Sequence, residues 1–494
     1  MAEFDLAILG GGINGTAIAR DAAGRGLRVL LVEQGDLASG TSSASSKIIH
    51  GGLRYLRQRA FRLVHEALAE REVLLRTAPH IVRPLRFMLP PHGGFLEAAV
   101  LRAGLFVYDR LAARDILPPT RTVDLTQDPA ARPLKGGVRY GFEYSDCSVD
   151  DARLVVLNAL DAKERGADIR TRTRCVRAER RGEWQLALDN RGRRQTASAR
   201  VLVNATGPWI APVAESVLGV PLADPARLVK GSHIVVPRTF DHDRAYTLQA
   251  PDGRVFFALP FARDFTLIGT TDEEFIGDVG APAPDGGEIS YLCDAMNRYF
   301  RLPIAPDDVV WAFAGIRSLH DDGSRKPEDV TRDYTLALDE KSGGAPLLTV
   351  YGGKITTARR LAEAALARLA HVFELRPPWT AMSHLPGGDF APDRIDAQVE
   401  QARARWSFLD AIQTERMVRA YGTRLERILG DAASPADLGP AFAGGLTGAE
   451  VRYLMRNEWA QSAEDILWRR TKTGLRASAR DADALAQFMA SEAA

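Results

Sequence analysis

The chain opens with a short apolar run, FDLAIL at 4–9, which reads as a buried strand. A glycine turn follows, GGGING at 10–15, then the helical pattern TAIARDAAGRG. A second apolar strand, RVLLVE, ends at Glu33. Strand, glycine turn, helix and strand in that order predict an α/β fold. FEYSDCSVDDARLVVLNALDAKERGA predicts a helix starting near Asp150, which serves as its N-cap. DIRTRTRCVRAER, GEWQLALD and TASARVLVNATG predict strands, and the last closes on NATGPW at 204–209. From about 228 to 351 the pattern turns to short alternating strands: LVKGSHIVVPR, RVFFALPF, DFTLIGTTD, WAFAGIRSL, RDYTLALD and PLLTVYGG. These predict a mostly antiparallel second layer, whose loops gather Lys230, His233, Arg317 and Arg332. GGKIT at 352–356 then feeds an amphipathic helix, TARRLAEAALARLAHVF.

RPPWTAMSHLPGGDFAP, 376–392, is rich in Pro and Gly, breaks every period and reads as a linker. Helical patterns alone come after it, among them TGAEVRYLMRNEW with a Thr447–Glu450 capping box. The expected division is 1–227 for a cofactor domain with a helical insertion at 57–115, then 228–351 for an antiparallel substrate domain. Residues 352–375 return to the first domain, 376–392 are linker, and 393–494 form a helical domain. A chain of 494 residues is too long for one core, which agrees with this division.

Composition narrows the classes. Apolar residues make up 46% and charged residues 26%, as in a folded soluble protein, and the net charge of +1 argues against nucleic-acid binding. Cys147, Cys175 and Cys293 are the three cysteines. They form no CxxC pair and no metal-ligand spacing, so a reducing setting and no metal are expected. The N-terminus lacks the pattern of a signal peptide, and no uncharged apolar run is long enough to span a bilayer.

Gly10, Gly12 and Gly15 match G-x-G-x-x-G between a strand and a helix. Gly10 allows the tight turn, Gly12 lets a pyrophosphate approach the backbone, and Gly15 lets the helix sit close to the sheet. The helix N-terminus favours phosphate. Glu33, at the end of the second strand, suits ribose hydroxyls and disfavours a 2′-phosphate. The segment after that strand, EQGDLASGTSSASSKIIHGG, distinguishes FAD from NAD. Small hydroxyl residues let the chain lie along an extended ligand: Thr41, Ser42, Ser43 and Ser45, then Lys47, His50, Gly51 and Gly52. Ala205, Thr206 and Gly207 end a buried strand where the sheet returns to the cofactor. Gly353 and Thr356 of GGKIT form a second turn into a helix N-terminus, with Lys354 near the flavin pyrimidine ring.

Taken together, GGGINGTAIARDAAGRG, TSSASSKIIHGGLRYL, FRLVHEALAEREVLL, GFEYSDCSVDDARLV, LVNATGPW, KGSHIVVP, IGTTD, TRDYTL, GGKITT and LWRRTK carry a resemblance. The sequence resembles the respiratory, FAD-dependent glycerol-3-phosphate dehydrogenase family across nearly its whole length. The resemblance implies a glutathione-reductase-like FAD-binding domain, an antiparallel β substrate domain and a C-terminal all-helical domain. It implies oxidation of sn-glycerol 3-phosphate to dihydroxyacetone phosphate, with electrons passed to a membrane quinone. The family's Gly-x-Arg-Pro pattern stands here as GIRSL, with Ser318 in place of proline.

A phosphate substrate calls for concentrated positive charge. Arg54, Arg317, Arg332 and Lys354 are its expected source, with Tyr55 and Thr270 as hydroxyl partners. His233 is the expected base for the hydroxyl proton, and His50 is expected to orient the flavin. No second G-x-G-x-x-G and no cysteine pair offers another electron exit, which leaves quinone or oxygen. A quinone acceptor requires contact with the membrane, and FLEAAVLRAGLFVYDRL at 95–111 is an apolar helix that could supply it or lie in a core. WRRTKTGLR reads as a solvated face first and a contact for acidic lipid second. The expected partners are therefore the substrate, a membrane quinone, the inner face of the cytoplasmic membrane and further copies of the chain, with no nucleic acid. The rival readings are an oxygen-using glycerol-3-phosphate oxidase, an amine oxidase of the D-amino-acid or glycine type, and a non-catalytic flavin-binding module.

Overall fold

A computed structural model describes residues 2–56, 60–91, 95–136, 139–222, 224–321, 323, 333–340 and 344–493; the side chains of residues 54 and 95–97 lie outside the description. The first layer is an eight-stranded sheet centred on Phe4–Leu9. This strand runs parallel to Val29–Val32 on one side and to Arg193–Asn204 on the other. Asp168–Arg170 and Leu347–Tyr351 extend the parallel set, and Thr335–Asp339 closes the edge antiparallel. The continuous apolar runs read in the sequence belong to strands covered on both faces. The helices Ile13–Gly24, Asp151–Glu164 and Ala358–Arg368 share a core with Leu6, Ile8, Val29 and Leu31. An antiparallel ribbon, Arg174–Arg180 with Trp184–Asn190, covers Ala7, Leu9 and Val32 on the other face. Asp150 caps the helix Asp151–Glu164, accepting a hydrogen bond from the Arg153 N–H at 3.1 Å.

The second layer is a ten-stranded, mostly antiparallel sheet. Its central strand, Ala226–Pro237, lies between Trp311–His320 and Phe265–Gly269. Its membership departs from the expected division at both ends. Ile48–Ile49, Val82–Leu89, Arg121–Asp124 and Tyr140–Val149 all join it, so residues 57–115 are not a purely helical insertion. Conversely, Thr335–Asp339 and Leu347–Tyr351 leave the 228–351 stretch for the first sheet. The two layers are interleaved in sequence, and the chain crosses between them repeatedly. Lys230, His233 and Arg317 accordingly sit on strands rather than loops.

The last hundred residues form a helical unit around Met417, Tyr421, Val451, Leu454 and Ile466, with one two-residue hairpin, Ala441–Phe442 and Leu446–Thr447. Residues 376–392 are not a loose linker. Trp379 donates from its indole to Asp21 O at 3.2 Å and lies under the guanidinium groups of Arg20 and Arg165. Thr380 and Leu385 are buried. The basic run at 468–476 is not a solvated face either. Arg470 reaches both oxygens of the buried Asp36 at 2.8 Å, Arg469 donates to Asp36 at 2.7 Å, and Lys472 approaches Asp150 at 3.4 Å.

Candidate active site

A cavity of about 330 Å³ runs along the C-terminal ends of the parallel strands. Gly10, Gly12, Glu33, Thr41, Ser42, Ala205, Thr206, Gly207, Arg317 and Gly353 line it, which brings together ten of the residues singled out in the sequence. Gly10 has φ +109°, and a Cβ there would sit 2.5 Å from Ala205 O, so only glycine makes this turn. A Cβ on Gly15 would meet Gly10 O at 2.0 Å, which is the close helix–strand approach expected of the third glycine. The N–H groups of Gly11 and Gly35 donate to the two oxygens of Glu33 at 2.7 and 2.6 Å. Burial pushes the Glu33 carboxyl up, and those two donors act against it.

The hydroxyl loop divides its work. Ser42 accepts from the Ile13 N–H at the helix start at 2.9 Å, and Thr41 donates to Ile316 O at 2.5 Å. Ser43 turns inward to Gly40 O. Ser45 and Lys47 point away from the cavity to Asp151. The Lys47 ammonium lies 2.9 and 3.1 Å from the two oxygens of Asp151 and donates to Ser43 O at 2.8 Å. Lys47 therefore braces the loop from behind, its charge paired with Asp151, and it is not among the residues that line the cavity. Gly51 and Gly52 are explained by the protein's own rings: a Cβ on Gly51 would meet Tyr108 Oη at 2.4 Å, and one on Gly52 the Tyr55 ring at 2.3 Å. The His50 N–H donates to Thr356 Oγ1 at 3.4 Å, tying this loop to the GGKIT turn.

The loop lies against the second sheet at Gly315, where a Cβ would touch Ala44 at 3.1 Å. Arg317 and His233, on adjacent strands, gather nearby with Thr270, one residue past the end of a third. Arg317 is held by Asp272, and a Cβ on Gly231 would meet Thr270 Oγ1 at 2.6 Å and Arg317 Nη2 at 2.9 Å. His233 is buried, stacks on Phe313 with 5.0 Å between centroids, and shares a 2.8 Å hydrogen bond with Ser46 through Nε2. Gly269 makes room for the imidazole, since a Cβ there would lie 2.1 Å from it. Burial, with Lys47 and Arg317 nearby, pushes His233 down to about 3, so the ring is neutral. The Lys354 ammonium stands 3.8 Å over the Tyr55 ring. Lys230 is paired with the buried Glu288 at 2.8 Å. The Arg54 side chain and all of Arg332 lie outside the described residues.

Sequence reasoning missed several participants. Asn14 donates to Gly352 O at 3.0 Å, and its own amide oxygen is buried without a partner on the cavity wall. Ser46, Gly231, Asp151 and Asp272 also went unrecognised. Asn14 and Ser46 sit inside recognisable motifs, but Asp151 and Asp272 matter through partners far away in sequence.

The residues 5–359 match the family model of FAD dependent oxidoreductases, and 379–494 match the C-terminal domain of alpha-glycerophosphate oxidase. A glycerol-3-phosphate dehydrogenase of Pseudomonas aeruginosa is 51% identical, covering 99% of this chain and 95% of its own length. The aerobic glycerol-3-phosphate dehydrogenase of Escherichia coli is 46% identical over 99% of this chain and 98% of its own. The chain belongs to the FAD-dependent glycerol-3-phosphate dehydrogenase family. A D-erythritol 1-phosphate dehydrogenase of Brucella abortus stands at 49% identity, covering 95% of this chain and 94% of its own. In fold, this family member matches the glycerol-3-phosphate dehydrogenase of Bacillus halodurans, solved with FAD, at a TM-score of 0.74 and 23% identity, covering 100% of this chain and 95% of that one.

The cofactor is FAD. The cavity fits it on its own features: a glycine turn that no side chain can enter, a carboxylate at the end of the second strand, and on the wall a partnerless Asn14 oxygen, an acceptor suited to a ligand rich in hydroxyl and N–H donors.

Proposed function

We propose that this enzyme oxidises sn-glycerol 3-phosphate to dihydroxyacetone phosphate and passes the electrons to a membrane quinone. The observation that carries the reading is the cluster at the seam between the layers. Arg317 and Thr270 meet over Gly231, with the neutral His233 two residues along the same strand. Arg317 offers a planar fork to a phosphate, with Lys354, Arg54 and Arg332 as further cations and Tyr55 as a hydroxyl. His233 takes the hydroxyl proton from the substrate alcohol as C2 becomes a ketone. FAD, when bound, supplies the hydride acceptor at N5. Positive charge from Lys354 favours its reduced, anionic form. Glu33 receives the adenosine ribose, and Thr41, Ser42 and the Ala205–Gly207 turn follow the cofactor backbone.

The 49% identity to a D-erythritol 1-phosphate dehydrogenase supports a second reading, in which the alcohol belongs to a longer polyol phosphate. The test is anaerobic. The oxidised flavin band is followed as sn-glycerol 3-phosphate, D-erythritol 1-phosphate, glycerol or an amino acid is added. Rapid bleaching by the first alone supports the proposal, and preferential bleaching by the second assigns the longer substrate. Bleaching by glycerol or an amino acid overturns the phosphate pocket.

A quinone acceptor needs the enzyme at a membrane. Among the described residues no helix is long and apolar enough to cross one. The helix Phe95–Tyr108 buries Ala98, Leu105 and Tyr108 and exposes Val100 (63%), Phe106 (56%) and Val107 (40%), with Arg102 and Arg110 beside them. That face suits peripheral binding to the inner surface of the cytoplasmic membrane. Flotation with anionic vesicles is the expected result, abolished by Phe106→Glu. Turnover that yields peroxide stoichiometrically in air, with no gain on adding a quinone analogue, assigns oxygen as acceptor instead.

A further inference from the structure

We infer that Ser46 is a positioning residue for His233, and that Asp151 holds Ser46 in place by fixing its two chain neighbours. The inference rests on the reading of His233 as the base. The geometry is a short chain of contacts. Asp151 is fully buried. One of its oxygens accepts from the Ser45 hydroxyl at 2.8 Å and the Lys47 ammonium at 2.9 Å; the other accepts from Lys47 at 3.1 Å and the Ala152 N–H at 2.9 Å. Ser45 in turn accepts from the Lys47 N–H at 3.0 Å. Residues 45 and 47 are thereby anchored to the start of a helix of the first layer, and Lys47 takes φ +56° to do so. Ser46 stands between them with its side chain directed the other way, 2.8 Å from Nε2 of His233 on the second layer.

An imidazole on a strand has free rotation about its ring bond unless something fixes it. Here the stack on Phe313 fixes the ring plane, and the hydrogen bond to Ser46 fixes which nitrogen points to the loop. Nδ1 is buried with no partner, so nothing opposes that choice from the other side. The charged groups that face the imidazole are Lys47, Arg317, Asp151 and Asp272. Two of these, Lys47 and Asp151, belong to the same brace, so the loop sets both the orientation of the ring and part of its field. Lys47 also lies 4.8 Å from the centre of the Phe313 ring, which ties the stack to the same brace.

The experiment compares Ser46→Ala, Ser46→Thr and His233→Asn as FAD-loaded enzymes in anaerobic stopped flow with sn-glycerol 3-phosphate. The expected result for Ser46→Ala is full FAD content, a KM within about twofold of the parent and flavin reduction slowed roughly tenfold or more, within the range a misplaced base produces. Ser46→Thr, which keeps the hydroxyl, restores most of the rate. A rapid Ser46→Ala beside a slow His233→Asn overturns the positioning role and leaves the base assignment standing. A rapid His233→Asn overturns the base assignment itself. Loss of FAD or a raised KM without a slower reduction step also overturns the inference, because the loop would then serve binding alone. Asp151→Asn gives the second arm: it keeps the shape, and the expected rate loss accompanies a retained KM.

Discussion

At the scale of single residues, the site is built on positions where no side chain fits. Gly231 is the sharpest case. A Cβ there would press on both Thr270 Oγ1 and Arg317 Nη2, the two groups proposed to receive phosphate. Gly231→Ala is therefore expected to raise KM for sn-glycerol 3-phosphate about tenfold, or roughly 1.4 kcal/mol of binding, with FAD content unchanged. Steady-state kinetics would show this, and an unaltered KM would mean that Arg317 does not hold the substrate. Asn14 provides the complementary case on the cofactor side. Its orphaned amide oxygen faces the cavity, so Asn14→Ala removes an acceptor and the link to Gly352. FAD affinity, read by titration of the apoprotein, should fall about tenfold, the worth of one or two good hydrogen bonds.

At the scale of elements, the decisive contacts join segments far apart in sequence. Asp36 follows the second strand, Val29–Val32, by four residues and is fully buried between Arg469 and Arg470 of a π-helical turn, Asp465–Arg470. Removing one partner of a buried pair costs about 3–5 kcal/mol. Arg470→Ala should lose that much in chemical denaturation, and a loss below about 1 kcal/mol, the level of a surface pair, would deny the pair its role. The contact also shows what a sequence can tell. The βαβ start, the Asp150 cap and the ATG return were legible because each is local: a period, a capping side chain, a glycine at a fixed offset. The basic run at 468–476 read as a solvated face because three of its carboxylate partners, Asp36, Asp150 and Asp264, are hundreds of residues upstream. The strand Val82–Leu89 hid for the same reason. Its burial does not alternate, it is flanked by helices, and its place in the second sheet comes from pairing with Tyr140–Val149. The cofactor motifs were legible, yet the behaviour of Lys47 was not, since a lysine among serines gives no sign that Asp151 waits behind it.

At the scale of the whole molecule, buried imidazoles set a pH dependence and ion pairs tie the helical unit to the first layer. Burial, with a nearby arginine, pushes His80 down to about 3, as it does His233. The unfolded chain takes up protons on both rings below their ordinary value of 6.5, while the folded chain does so near 3. The unfolded state thus binds more protons in that window, so stability falls as pH falls from 6.5 toward 3. At about pH 5 the expected loss is about 2 kcal/mol per ring, and His80→Leu should flatten the slope of Tm against pH. The docking of the C-terminal unit leads to the last expectation. Besides the Asp36 cluster, Arg153 of the first layer and Glu458 form a fully buried pair, Arg172 meets Asp465 at 2.7 Å, and Arg424 meets Glu164 at 2.7 Å. Trp468 lies 4.7 Å from Trp311, which is 4.4 Å from Phe313 under His233. Cutting the chain after residue 375 would strip partners from Asp36 and Arg153 and open the wall behind the candidate base. Calorimetry of the intact protein should show one transition, and the 1–375 fragment should fail to hold FAD. Two separate transitions, or a yellow fragment that is reduced by substrate, would mean that the helical unit is an appendage and that the site is complete without it.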